Sequence, residues 1–220
     1  MELSSILMAR VFAIFELSEL DPRNRISPFE LSEHLVAKYG FHGYPRELKN
    51  FDYEAGIEFL LGKFDDGTNI GRVKLFNNGI VVETGSSTDD SDKILEGMLA
   101  WGAETIGLKY KPEMLRRRGY VSQVAVKTDI SFNSLNPVLS LLAERVTKRV
   151  SETEGVTVPF ETSAIVFNFD ALNTKFPVGV FEISRRDNVP FSDNTYFSQA
   201  PLPTEEHLQL LTDLEAALKG

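Results

Sequence analysis

The chain has no cysteine. That absence removes disulfides, thiolate metal sites and cysteine nucleophiles together, and makes a reducing, cytoplasmic setting the expectation. Histidine is scarce too, with three in 220 residues. His34, His42 and His207 lie in separate segments without the His-x-x-x-His spacing that sets two imidazoles on one metal, so each is expected at or near the surface. No Gly-x-Ser-x-Gly elbow is present for a serine nucleophile. Residues 85–88, Gly-Ser-Ser-Thr, precede a helix as an anion loop would, but they lack the Gly-Lys-Ser/Thr tail of a phosphate loop. Nor is there an apolar run of about 20 residues, the length that spans a bilayer. The stretch 6–15 is preceded by Glu2 and interrupted by Arg10, and reads as a buried strand instead of a signal peptide. Membrane, cofactor and metal are therefore all absent from the expected list.

What the chain has in quantity is acid, unevenly spread. Its formal net charge is −9. Between residues 109 and 149 the balance reverses: nine cations (Lys109, Lys111, Arg116, Arg117, Arg118, Lys127, Arg145, Lys148, Arg149) stand against three acids (Glu113, Asp129, Glu144). Charge separated in this way suits a surface that meets a polyanion, or one that meets the acidic part of another copy. Guanidinium groups fork onto phosphate or carboxylate oxygens in pairs, so Arg116, Arg117, Arg118, Arg145, Lys148 and Arg149 are the candidate binding residues. The competing interpretation is an ordinary solvated face balanced by Glu144 and Glu152. Base-stacking aromatics are thin in this region, with Tyr110 and Tyr120 alone.

The hydrophobic pattern predicts an α+β fold: a largely antiparallel sheet with about four helices on one face. Strands are expected over residues 7–17, 57–64, 72–76, 80–84, 120–131, 163–170 and 178–185. The dipeptide Asn78-Gly79 is a strong hairpin signal. Ser27, Pro28 and Glu30 compose a capping box that starts a helix which Gly40 ends. A second helix, 90–106, carries Ile94, Leu95, Met98, Leu99 and Trp101 on its apolar face, with Gly97 and Gly102 as interruptions. Trp101 serves either as core or as an interface anchor. Asn136 and Pro137 open a third helix whose inner stripe is Leu139, Leu142, Ala143, Val146 and Val150. The last runs from Thr204 through Leu208, Leu211, Leu214 and Leu218. Residues 186–203 show no clear period and are expected to be a partner-contacting loop. Residues 160–169 read first as core and second as an edge available for pairing with a partner. The chain is expected to be one compact unit of 220 residues, with pseudo-repeated lobes over 1–108 and 118–220, each of β-α-β-β-(β)-α order, joined near 109–117.

Two carboxylate groupings also need weighing. Residues 88–92, Thr-Asp-Asp-Ser-Asp, lack the glycine and distant glutamate of a calcium loop and suit a helix start, where acids meet the backbone dipole. Asp170 and Glu182 are placed on neighbouring strands as in a metal-dependent nuclease, but Ser184 stands where the lysine of Glu-x-Lys belongs, and Glu161 and Lys175 are poorly placed to help. The expectation is a non-enzymatic binding or assembly subunit, self-associating or joined to another protein through the basic region. A nucleic-acid or nucleotide-phosphate sensor using the same arginines is the alternative, and a phosphodiesterase at Asp170 and Glu182 the third reading.

Overall fold

A computed structural model describes residues 1–23, 25–175 and 178–219. Eight strands and five α-helices follow one another as β1 (Glu2–Ile14), α1 (Leu17–Leu20), α2 (Pro28–Tyr39), β2 (Ile57–Lys63), β3 (Asn69–Phe76), β4 (Gly79–Thr84), α3 (Thr88–Thr105), β5 (Arg117–Lys127), α4 (Pro137–Glu154), β6 (Ala164–Phe167), β7 (Phe181–Arg185), β8 (Thr195–Ala200) and α5 (Thr204–Lys219). The strands form one antiparallel sheet in the order β2-β3-β4-β1-β5-β8-β7-β6, so the fold is α+β. Apart from the single turn α1, both halves of the chain run β-α-β-β-β-α. No helix among the described residues is long and apolar enough to cross a membrane.

Local chemistry explains most of these boundaries. Ser27 accepts from the Glu30 amide while the Glu30 side chain accepts from the Ser27 amide, closing the box that starts α2. Gly40 ends that helix in the left-handed region, with φ 62°. Asn77 and Asn78 form the two-residue turn between Phe76 and Gly79. Gly79 must be glycine for a second reason: a Cβ there would lie 2.3 Å from the carbonyl oxygen of Ala13 on β1. The two glycines that weaken α3 as a helix prediction are close-packing positions. A Cβ on Gly97 would strike the Phe64 ring at 2.4 Å, and one on Gly102 would strike Leu108 at 2.8 Å.

Contacts group the chain into two units. The first comprises Ile6–Ser122 with Pro201–Thr204; the second comprises Met1–Ser5, Gln123–Ala200 and the stretch from Glu205 onward. The first holds a continuous core in which β1, β3 and β4 give Val11, Val73 and Val82, and α3 gives Ile94, Leu95, Met98 and Leu99. At the starts of two helices, Thr88 and Thr204 exchange caps: the Thr88 amide donates to Thr204 Oγ1 at 3.1 Å and the Thr204 amide donates to Thr88 Oγ1 at 2.8 Å.

The second unit corrects three expectations. Residues 186–203 are not a loop throughout, because they contain β8, which pairs with β7 and buries Tyr196, Ser198 and Ala200 on one face. The expected inner stripe of α4 is wrong at Leu139 and Leu142: only Ala143 is buried, and Leu142 is 56% exposed. Residues 160–169 are not core either; Phe160 and Val166 are exposed, and β6 is only four residues long. The apolar pattern was real in both cases, but pattern gives a face without saying whether anything covers it.

Candidate interaction surface

The candidate arginines fall in both units, and their surroundings differ. Arg116 holds two carboxylates, with Nη1 3.0 Å from Glu16 and Nη2 2.6 Å from Glu19. Arg117 stacks on the Phe12 ring, 5.4 Å from its centroid. Arg118 lies between two acids of α3, with Nη1 3.2 Å from Asp92 Oδ1 and Nη2 bonded to Glu96. Tyrosines complete that cluster: Tyr120 donates to Asp92 at 2.8 Å and Tyr110 to Glu96 at 2.7 Å. Burial raises the Asp92 carboxyl above its ordinary value, and burial together with the Glu96 hydrogen bond pushes the Tyr110 hydroxyl up to about 12. Trp101 is partly buried and meets Tyr39 edge to face at 5.6 Å, beside the core. Arg116, Arg117 and Arg118 thus already have acidic or aromatic neighbours.

In the second unit the picture is different. Asn136 caps α4, accepting from Val138 and Leu139 amides, and Gly155 ends it at φ 69°. Arg145 and Lys148 point to solvent, and among the described residues neither meets a carboxylate within 4.0 Å. Arg149 is exposed and has only a 3.7 Å contact with Glu152, a separation at which a solvated pair contributes little. The same outward face carries Val138, Leu141 and Leu142 one and two turns earlier. Helical spacing puts all six on one side, apolar at the start and cationic at the end.

The chain leaving α4 returns alongside it. The Val158 amide donates to Ser151 Oγ at 2.9 Å and the Phe160 amide to Thr147 Oγ1 at 2.8 Å. The return ends at β6, the outermost strand on its side of the sheet. Val166 is 54% and Phe167 64% exposed. Consecutive strand residues point to opposite faces, so neither face of β6 is covered.

Two features of this unit escaped sequence reasoning. Arg185 is buried, bonds Glu161, donates to the Phe191 carbonyl at 2.9 Å, and lies 4.7 Å from the Phe191 ring and 5.3 Å from the Tyr196 ring. It pins the segment before β8 in place. His207, expected at or near the surface, is fully buried. Ser198 Oγ donates to the Glu182 carbonyl at 2.8 Å, so the 2.9 Å contact with His207 requires Nε2 to carry the proton and leaves Nδ1 bare and unbonded. Burial alone lowers this imidazole to about 4. Among the described residues nothing bonds Nδ1, and the imidazole is fully enclosed. No signal in the sequence separated His207 from His34 or His42.

Asp170 and Glu182 do not face each other. Asp170 lies beyond the end of β6, where its carboxylate accepts from the Leu172 amide at 3.0 Å and from the Asn173 side chain, whereas Glu182 on β7 is opposite Val166. Among the described residues there is no group of three His, Cys, Asp or Glu side chains that could hold a metal. Two open concavities of the first unit, about 510 and 540 Å³, are lined largely by apolar side chains and glycine backbone, and Glu16 and Asp21 at the first already bond Arg116 and the Ile26 amide. No protein-family model matches the chain, and no curated protein matches it at a significant level.

Proposed function

We propose that the chain is a non-enzymatic binding or assembly subunit that engages another protein through its second unit. The observation that carries this reading is the outward face of α4, where Val138, Leu141 and Leu142 run into Arg145, Lys148 and Arg149 without a covering element. Contiguous apolar surface rimmed by charge is what protein interfaces present, and a monomer gains nothing by keeping it wet. Among the candidate binding residues, the α4 cations are the ones with charge left to offer; Arg116 and Arg118 have theirs engaged.

Because Arg145 and Lys148 meet no carboxylate among the described residues, the same face also suits a phosphate backbone. Titration of a labelled oligonucleotide at about 50 mM salt separates the readings, since phosphate contacts are strongest there. The assembly reading expects no saturable oligonucleotide binding. It expects a concentration-dependent mass in light scattering, or a protein co-purifying from the chain's own cells, that Leu142→Lys abolishes. Oligonucleotide binding lost in Arg145→Glu/Lys148→Glu replaces assembly with the nucleic-acid reading. The absence of both a rising mass and a Leu142-dependent partner overturns assembly.

A further inference from the structure

The sheet has two edges, and only one is protected. At β2 the chain after α2 crosses the edge: the His42 and Gly43 amides donate to the Leu60 carbonyl at 3.1 Å, and the Leu60 amide donates back to Gly43 at 2.7 Å. Leu61 then turns into the left-handed region, φ 55°, which breaks the flat edge a further strand would need. Among the described residues nothing of this kind occurs at β6, its counterpart in the second half of the chain.

The register shows what β6 leaves open. The Arg185 amide donates to Ser163 O at 2.7 Å, which makes 163 and 185 a bonded pair. Antiparallel pairs alternate, so Ile165 with Ile183 and Phe167 with Phe181 are bonded pairs too, and the amides and carbonyls of Ala164 and Val166 point away from β7. No residue among the described ones bonds those four groups. Apart from the shortness of β6, the devices that usually blunt an edge are missing as well: residues 162–169, Thr-Ser-Ala-Ile-Val-Phe-Asn-Phe, contain no lysine, no charge and no proline.

We propose that a second copy of this chain occupies this edge, β6 pairing antiparallel with β6 across a two-fold axis. The partner's identity follows from the edge itself. In a two-fold pairing residue i meets residue j and j meets i, so the open groups of Ala164 meet those of Val166 in the other copy, and the uncharged strand opposes no charge. Val166 and Phe167 stand exposed on the two faces beside this edge, so a strand laid along it gives both of them cross-strand neighbours. This inference rests on the assembly reading and names its partner.

The test uses Val166→Pro and Val166→Lys in the full chain. The Val166 amide faces outward, so proline there removes a donor that the β6–β7 ladder does not use, while it blocks an incoming strand. Sedimentation or light scattering up to about 200 μM should show wild type passing from monomer to dimer with concentration. Both variants should remain monomeric at every concentration, with wild-type far-UV dichroism and melting temperature. A dimer that survives Val166→Pro but is lost in Leu142→Lys overturns strand pairing and leaves assembly on α4. A wild type that is monomeric throughout overturns the second copy as partner, and the assembly reading then rests on its co-purification arm.

Discussion

His207 shows how a single residue sets a condition on the whole fold. Its imidazole is depressed to about 4 from an ordinary 6.5 by burial, so the unfolded chain takes up the proton first as pH falls. Its contribution to stability is complete above pH 6.5, declines through the window down to about 4, and levels off below. The loss across that window is about 3 kcal/mol. Urea unfolding at intervals from pH 7.5 to pH 4 should show this decline in wild type and a flatter profile in His207→Gln; parallel profiles would mean that other groups set the acid limit. The Arg118 cluster works in the opposite direction at residue scale, gathering Asp92, Glu96, Tyr110 and Tyr120 so that charge in the basic segment is used inside the first unit.

At the scale of elements, α3 and α4 are both 18 residues long and both amphipathic, yet they differ in what covers them. Ile94 of α3 is wholly buried among core side chains, and Ile94→Ala should cost about 3 kcal/mol in chemical unfolding. Leu142→Ser on α4 should change stability by no more than about 0.5 kcal/mol, because its side chain already stands largely in water. Comparable losses at both positions would mean that α4 is packed in solution. The contrast also marks what sequence could convey. Caps and turns are local and were legible: the Ser27 box, the Asn136 cap, the Asn78-Gly79 hairpin and the glycine stops. β8 was not, because its inward positions after Tyr196 are Ser198 and Ala200, whose small or polar side chains lack the apolar alternation that announces a strand. Candidate-site residues were legible as cations on α4, but the acids that occupy Arg116 and Arg118 come from 97 and 22 residues away, beyond any local window.

For the whole molecule, charge and apolar area make separable contributions to association. Pairing through uncharged β6 should be indifferent to salt, whereas docking through Arg145 and Lys148 should weaken as the Debye length shrinks. Raising sodium chloride from about 50 mM to about 0.5 M should leave the dimer fraction unchanged if the strand edge carries it; a steep fall would assign the association to α4. The same separation appears in the element plan, where both halves repeat β-α-β-β-β-α but only the first closes its outer strand. One bond pair constrains the chain in another way. Thr88 and Thr204 stand 116 positions apart, and each hydroxyl is the cap for the other's amide. Replacing either with valine would strand a buried donor on its mate, so each position is held to a short side-chain acceptor such as Thr or Ser, however far the intervening chain drifts.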